Sequence, residues 1–197
     1  MPVGVPKVPF HIPGDEEASW VDIYNRLSRQ GFLFILQEID SEISNQIVGL
    51  MVFLALEGEV KDLYFWICSP GGSIINGFAI YDMMIYLPQT MHTISIGESA
   101  SMASLILAGG TITQRVALPH TRIMIHQPRI SAFQIPAGES LIEMEEFAQL
   151  RNLVGRAYAK RTGQPLWVVE QDLERDIFMS AQEAKDYGIV DLVGSGE

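Results

Sequence analysis

The chain holds a single cysteine, Cys68, among its 197 residues. That excludes an internal disulfide and any zinc site built on several thiolates, and it suits a reducing compartment. Histidine is scarce as well: His11, His92, His120 and His126 show no ligand spacing of the HExxH kind, so no metal site is expected. Positive charge is in deficit, with 13 Lys and Arg against 24 Asp and Glu and a formal net charge of −11. Binding to phosphate backbones runs on clustered Lys and Arg, which argues against nucleic acid as a partner. Long apolar runs are missing too. LMVFLAL and SLILAGG fall well short of the roughly 20 residues that cross a bilayer, and no membrane span is expected. The opening MPVGVPKVPFHIPGDEE has neither the basic start and apolar core of a secretory signal nor the arginines of a transit peptide.

What is present describes one domain. At 48% hydrophobic and 19% charged residues the chain is long enough for one well-buried core and short for two. Residues 1–17, with four prolines, read as an extended N-terminal arm, and 18–197 as the domain. Residues 16–30 place Trp20, Ile23 and Leu27 at helical spacing, and FLFILQEI follows as a strand. SEISNQIVGLMVFLALE sets Ile43, Ile47, Leu50, Met51 and Leu54 on one helical face. KDLYFWICSPGG is a strand running into a tight turn, and SIINGFAIYDMMIYL is a helix. The rhythm repeats in HTISIG, SMASLILAGG and TRIMIHQP, as strand, helix and strand. Such alternation predicts an α/β fold, a mainly parallel sheet covered by helices. Residues 139–161 form a long helix with acids early and bases late, as the helix dipole prefers. Ser180 and Glu183 make a capping box, and IVDLV closes as a last strand.

In open parallel sheets, ligands sit beyond the carboxyl ends of the strands. Gly71 and Gly72 follow the end of LYFWI, a serine cluster follows TISI, and His126 ends RIMI. His92 and His120 stand at the opening ends of their strands and His11 in the arm, so only His126 is placed to act as a base. A serine nucleophile needs such a base and backbone donors for its oxyanion. Ser101 opens a helix, where the unpaired amide of Met102 is one donor and Gly72 can supply another. Ser99 nearly completes a GxSxG elbow, but the final glycine is Ser101, so it reads as a loop or capping residue. Ser104, one turn into the helix, reads as packing, its hydroxyl bonded back to a carbonyl. Cys68 reads as a buried small residue. For the acid that orients the imidazole, spacing leaves Asp172, Glu174 and Asp176 open.

SPGG at 69–72, ASM at 100–102, MIHQP at 124–128 and RDIFMSAQEAKDYGIVD at 175–191 together resemble ClpP, the proteolytic subunit family of the Clp protease. The similarity spans roughly residues 18–193, and the opening MPVGVPKVPF and the later RTGQPLWVV resemble the plastid-encoded form. The resemblance implies a ClpP/crotonase-like fold of repeated β/α units with a protruding handle helix, the handle region being about 127–161. It implies a serine endopeptidase with catalytic Ser101, His126 and Asp176 and an oxyanion hole at Gly72 and Met102. It further implies homologous subunits in two stacked seven-membered rings, linked at Glu174 and Arg175. A Clp AAA+ chaperone ATPase, docking at Tyr64, Trp66 and Tyr86, would use the ATP and feed in unfolded protein substrates; no cofactor is implied in this chain. The setting implied is the chloroplast stroma, the alternative a bacterial-type cytoplasm. Against the family's common AASMG, Ser99 replaces an alanine and Ala103 the glycine. The competing readings are a catalytically weak structural ring subunit, a crotonase-type acyl-CoA enzyme and an esterase using Ser99.

Overall fold

In the computed structural model, residues 4–10, 19–128 and 137–194 are described, with side chains of the last stretch described from Glu143. The elements in chain order are β1 (Lys7–Phe10), β2 (Ser19–Asp22), α1 (Ile23–Ser28), β3 (Phe32–Ile35), α2 (Ser41–Glu57), β4 (Asp62–Ser69), α3 (Ile74–Tyr86) and β5 (Thr90–Ala100). They continue with α4 (Met102–Ala108), β6 (Arg115–Ala117), β7 (Arg122–Ile125), α5 (Ala137–Thr162), α6 (Leu166–Leu173), β8 (Ile177–Ser180), α7 (Ala181–Tyr187) and β9 (Leu192–Val193).

The main sheet runs β3-β4-β5-β6-β9 in parallel, as the strand–helix alternation predicts, with β7 joined to β5 and β8 added antiparallel to β7. β5 forks. Its Thr93–Ser95 stretch pairs with β6 and its Glu98–Ala100 stretch with β7. Between them Gly97 takes φ 64°, a left-handed conformation that glycine adopts without a side-chain clash, and the β4–β5 register shifts opposite it. That bend carries the end of β5 away from the flat sheet and over to the strand that precedes His126.

Alternation along β4 buries Leu63, Phe65 and Ile67 against the helices and leaves Tyr64, Trp66 and Cys68 half-buried on the other face. From α2 the predicted face supplies Ile47, Met51 and Leu54 to the core, with Ile43 and Leu50 at its edge. Asp40 caps this helix by accepting the Ile43 N–H at 2.9 Å. All seven residues of α4 are buried, so the helix that follows β5 is the centre of the molecule. The C-terminal half of α5 packs through Val154 and Tyr158, while residues 143–146 and 151–153 are exposed.

Four elements differ from the sequence reading. The predicted helix over 16–30 begins only at Ile23: Ser19–Asp22 is a strand paired with Lys7–Phe10 of the arm, and Asp22 caps α1 through Tyr24 N–H at 2.8 Å. Trp20 is accordingly an exposed strand residue, 66% accessible, and its helical spacing from Ile23 is accidental. The strands β6 and β8 carry too few residues to show a period, and the helix α6, which buries Val169 and Leu173, is not anticipated by that reading. The segment 129–136 of the expected handle region, and residues 1–3 and 11–18 of the arm and its junction, lie outside the described residues.

Candidate active site

Ser101 stands alone between the last residue of β5 and the first of α4, at φ 55° and ψ −125°. A non-glycine residue held at positive φ costs about 1–3 kcal/mol, and a sharp strand-to-helix turn of this kind lifts its Oγ out at the sheet edge. Several hydrogen bonds hold it there. The Ser101 N–H donates to the Met124 carbonyl at 2.9 Å. Its own carbonyl accepts from the N–H groups of Ser104 and Leu105 at 3.0 and 3.3 Å, from Ser104 Oγ at 2.7 Å and from the Tyr158 hydroxyl at 3.1 Å.

The strand pair β7–β8 delivers the other two side chains. Ile125 lies opposite Ile177, so His126 and Asp176, one step beyond, emerge side by side. His126 Nε2 is 2.9 Å from Ser101 Oγ, and its Nδ1 is 3.0 Å from Asp176 Oδ1. With Nδ1–H donating to the carboxylate, Nε2 is left as the acceptor for the serine proton. The three acids that spacing leaves open are separated by their partners. Asp172 accepts the Tyr187 hydroxyl at 3.0 Å, and Glu174 pairs with Arg151 at 3.0 Å; Asp176 alone of the three meets the imidazole. Burial, and then the bond to Asp172, raise the Tyr187 phenol well above its ordinary range, so that hydroxyl stays a donor.

The SPGG turn lies against the elbow. Gly71 and Gly72 take φ 95° and 151°, and a Cβ on Gly71 would stand 2.7 Å from the Ala100 carbonyl and 3.2 Å from Met102 N. The turn is anchored by Ile39, which donates to Gly71 O at 2.8 Å and accepts from Ser73 N–H at 2.9 Å. Among the described residues, neither the Gly72 N–H nor the Met102 N–H has a hydrogen-bond partner, and α4 carries no side-chain cap. Two free backbone donors beside a serine at a helix start are what a developing oxyanion requires.

The remaining sequence expectations distribute as follows. Ser99 is a fully buried strand residue hydrogen-bonded to Ser95 Oγ at 2.6 Å, not a loop or capping residue, because β5 extends past Gly97. Ser104 does bond back to a carbonyl, and it also reaches Met124 O at 2.8 Å and the Tyr158 hydroxyl at 2.7 Å. Cys68 is half-buried rather than buried, since it faces away from the helices with Tyr64 and Trp66. Tyr64 stacks between Phe32 and His92, at 5.1 and 4.5 Å. Tyr86, at the end of α3, is 83% exposed and shares no ring contact with Tyr64 or Trp66 among the described residues. Glu174 and Arg175 are exposed. Sequence reasoning missed Tyr158. Its position in a long, mostly polar helix gives no sign that it reaches the elbow.

Among the described residues no cluster of His, Cys, Asp or Glu could hold a metal ion, and no helix is long and apolar enough to cross a membrane. The family model described as Clp protease matches residues 14–197. The chain is 60% identical over 193 residues to the ATP-dependent Clp protease proteolytic subunit of Nicotiana tabacum, covering 98% of both chains. It is 58% identical to the subunits of the same description from Vitis vinifera and Coffea arabica, again over 98% of both chains. A match over nearly the whole length to both the family and its proteolytic subunits means that this chain belongs to the Clp protease family, as a protease subunit.

Proposed function

We propose that the chain hydrolyses peptide bonds with Ser101 as nucleophile, His126 as general base and then acid, and Asp176 as the orienting carboxylate. The observation that carries this reading is the unbroken series of two hydrogen bonds, 2.9 Å from Ser101 Oγ to His126 Nε2 and 3.0 Å from Nδ1 to Asp176. As Oγ attacks the scissile carbonyl carbon, its proton passes to Nε2, and the imidazolium is stabilised across Nδ1–H by the carboxylate. The new alkoxide turns toward the N–H groups of Gly72 and Met102. Collapse breaks the C–N bond, Nε2 returns the proton to the leaving amine, and a water activated by the same imidazole cleaves the acyl-enzyme.

Its setting, on this reading, is an assembly of two stacked seven-membered rings that admits unfolded polypeptides delivered by a Clp AAA+ ATPase. The relatives' description as ATP-dependent proteolytic subunits supports a partner that spends ATP. The exposed residues 143–146 of α5 suit a ring-to-ring handle, with Glu174, bonded to Arg151 of that helix, and Arg175 as linking residues. Tyr64, Trp66 and Tyr86 are the ATPase docking positions, and the chloroplast stroma, suggested by plant relatives, is the location. A fluorophosphonate probe applied to the assembled complex tests the chemistry. Labelling should fall on Ser101, vanish in Ser101→Ala with several orders of magnitude of activity, and persist in Ser99→Ala. Labelling confined to a partner subunit would make this chain a structural member of the ring.

A further inference from the structure

Tyr158 sits on the last two turns of α5 and is 1% exposed. Its hydroxyl nevertheless ends in the turn that shapes the nucleophile. It is 3.1 Å from the Ser101 carbonyl and 2.7 Å from Ser104 Oγ, which in turn is 2.7 Å from the Ser101 carbonyl and 2.8 Å from that of Met124. Met124 O is also the acceptor for the Ser101 N–H. Two hydroxyl protons thus serve two carbonyls that lie on either side of the one strained residue in the site. Both carbonyls also accept backbone N–H groups, that of Ser101 from Ser104 and Leu105 and that of Met124 from Ser101, and a hydroxyl with one proton can add a bond to only one of them. Tyr158 supplies the second hydroxyl donor. Burial raises its phenol far above the ordinary range, so it remains protonated, and the same burial makes the bond costly to lose.

We infer that Tyr158 is a positioning residue for the proteolytic reaction: directly and through Ser104 it holds the Ser101 carbonyl and the Met124 carbonyl that receives the Ser101 N–H, and so couples the seating of α5 to the aim of the nucleophile. The inference rests on Ser101 being the nucleophile. It needs no contact between Tyr158 and substrate. A nucleophile displaced by a fraction of an ångström loses rate without losing binding, since near-attack geometry is far more sensitive than the substrate contacts.

The test is Tyr158→Phe in the assembled complex, read by the rate of fluorophosphonate labelling of Ser101 and by kcat and KM on a fluorogenic peptide. Phenylalanine keeps the ring and removes only the hydroxyl. Tyr187→Phe, which deletes an equivalent hydroxyl bonded to Asp172 instead, is the comparison. The expected result is a loss of about tenfold in both labelling rate and kcat with KM within about twofold, while Tyr187→Phe stays near the parent. Ser104→Ala should give a similar loss, and the double variant should lose clearly less than the product of the two single losses, as members of one hydrogen-bonded link do. If Tyr158→Phe does not assemble, Ser104→Ala removes the same link from the α4 side and carries the measurement. A labelling rate within about twofold of the parent in both variants overturns the inference, whatever happens to the melting temperature. So does an equal loss in Tyr187→Phe, which would mean general loosening. Failure of the underlying reading looks different: Ser101→Ala would then keep the parent's labelling.

Discussion

Replacing Asp176 by asparagine tests the assignment of the third triad member at the point where three acids compete. The substitution keeps the side chain's shape and removes its charge. In the transition state His126 becomes an imidazolium, and two unit charges about 4 Å apart attract by ~1 kcal/mol in water and ~4 kcal/mol at an effective dielectric of about 20. His126 is 16% exposed and Asp176 39%, so solvent screens the acid appreciably, and we place the lost attraction at ~2–3 kcal/mol. That is about 30- to 150-fold in rate at ~1.4 kcal/mol per decade. An amide adds a second fault, because its NH2 can donate to Nδ1 and trap the proton on Nε2, where it blocks acceptance from Ser101. The two together predict a loss of about 10²–10³ in kcat, smaller than the ~10⁴ seen when the acid is fully buried. The assay is peptide hydrolysis by the assembled complex, with Asp172→Asn beside it. Asp172 holds Tyr187 and should leave kcat within about threefold. A mild Asp176→Asn, or an Asp172→Asn that is equally damaging, would refute the reasoning.

Two further expectations follow from the backbone and from the buried charge. Gly71→Ala puts a methyl 2.7 Å from both the Ala100 carbonyl and Ser101 Cβ at a left-handed φ, so the SPGG turn must move off the elbow; kcat should fall by about 10² or more, as for loss of an oxyanion donor, with the native mass of the complex unchanged. Arg115 is 4% exposed and binds both carboxylate oxygens of Asp191 as well as the carbonyls of Arg161 and Gly188, so Arg115→Met should cost about 3–5 kcal/mol in denaturant unfolding. Burial works against the Asp191 carboxylate, but the hydrogen bonds from Arg115 outweigh it and hold its carboxyl below the ordinary range. A depressed folded value means stability that is present above the unfolded carboxyl value of about 3.9 and lost as pH falls through the folded one. The parent's unfolding midpoint should therefore drop below about pH 4 by more than that of Arg115→Met.

Much of this was legible in the residues because the strong signals are local. Helical spacing marked α2, the order of acids before bases marked the long α5, and the Ser180–Glu183 capping box is formed as its spacing predicts. The carboxyl-edge rule brought Ser101, His126 and the SPGG turn to one place because strand order alone decides that. What spacing left open was the acid, and the reason is β8. Four residues, Ile177–Ser180, carry no readable period, yet their antiparallel pairing with β7 is what sets Asp176 beside His126, while Asp172, in α6, meets Tyr187 instead. Ser99 was misplaced for a related reason. A glycine at 97 reads as a strand end, whereas here its positive φ bends a strand that continues.

The geometry of the proposed triad therefore reduces to two strand registers that meet at β7. Ala100 is paired with Met124 in the β5–β7 ladder, which fixes Ser101 relative to His126; Ile125 is paired with Ile177 in the β7–β8 ladder, which fixes His126 relative to Asp176. A slip of one residue in either ladder would turn every side chain to the opposite face, and buried Ile123, Ile125 and Met179 make such a slip costly. The apolar core and the catalytic distances are in this way specified by the same contacts. The registers cannot supply the conformation of Ser101 itself, because its positive φ lies outside both strand and helix. Besides the backbone bonds of its own peptide groups, that residue is held by side chains from α4 and α5, so the site's alignment resides in the sheet and the aim of the proposed nucleophile also in the helices behind it.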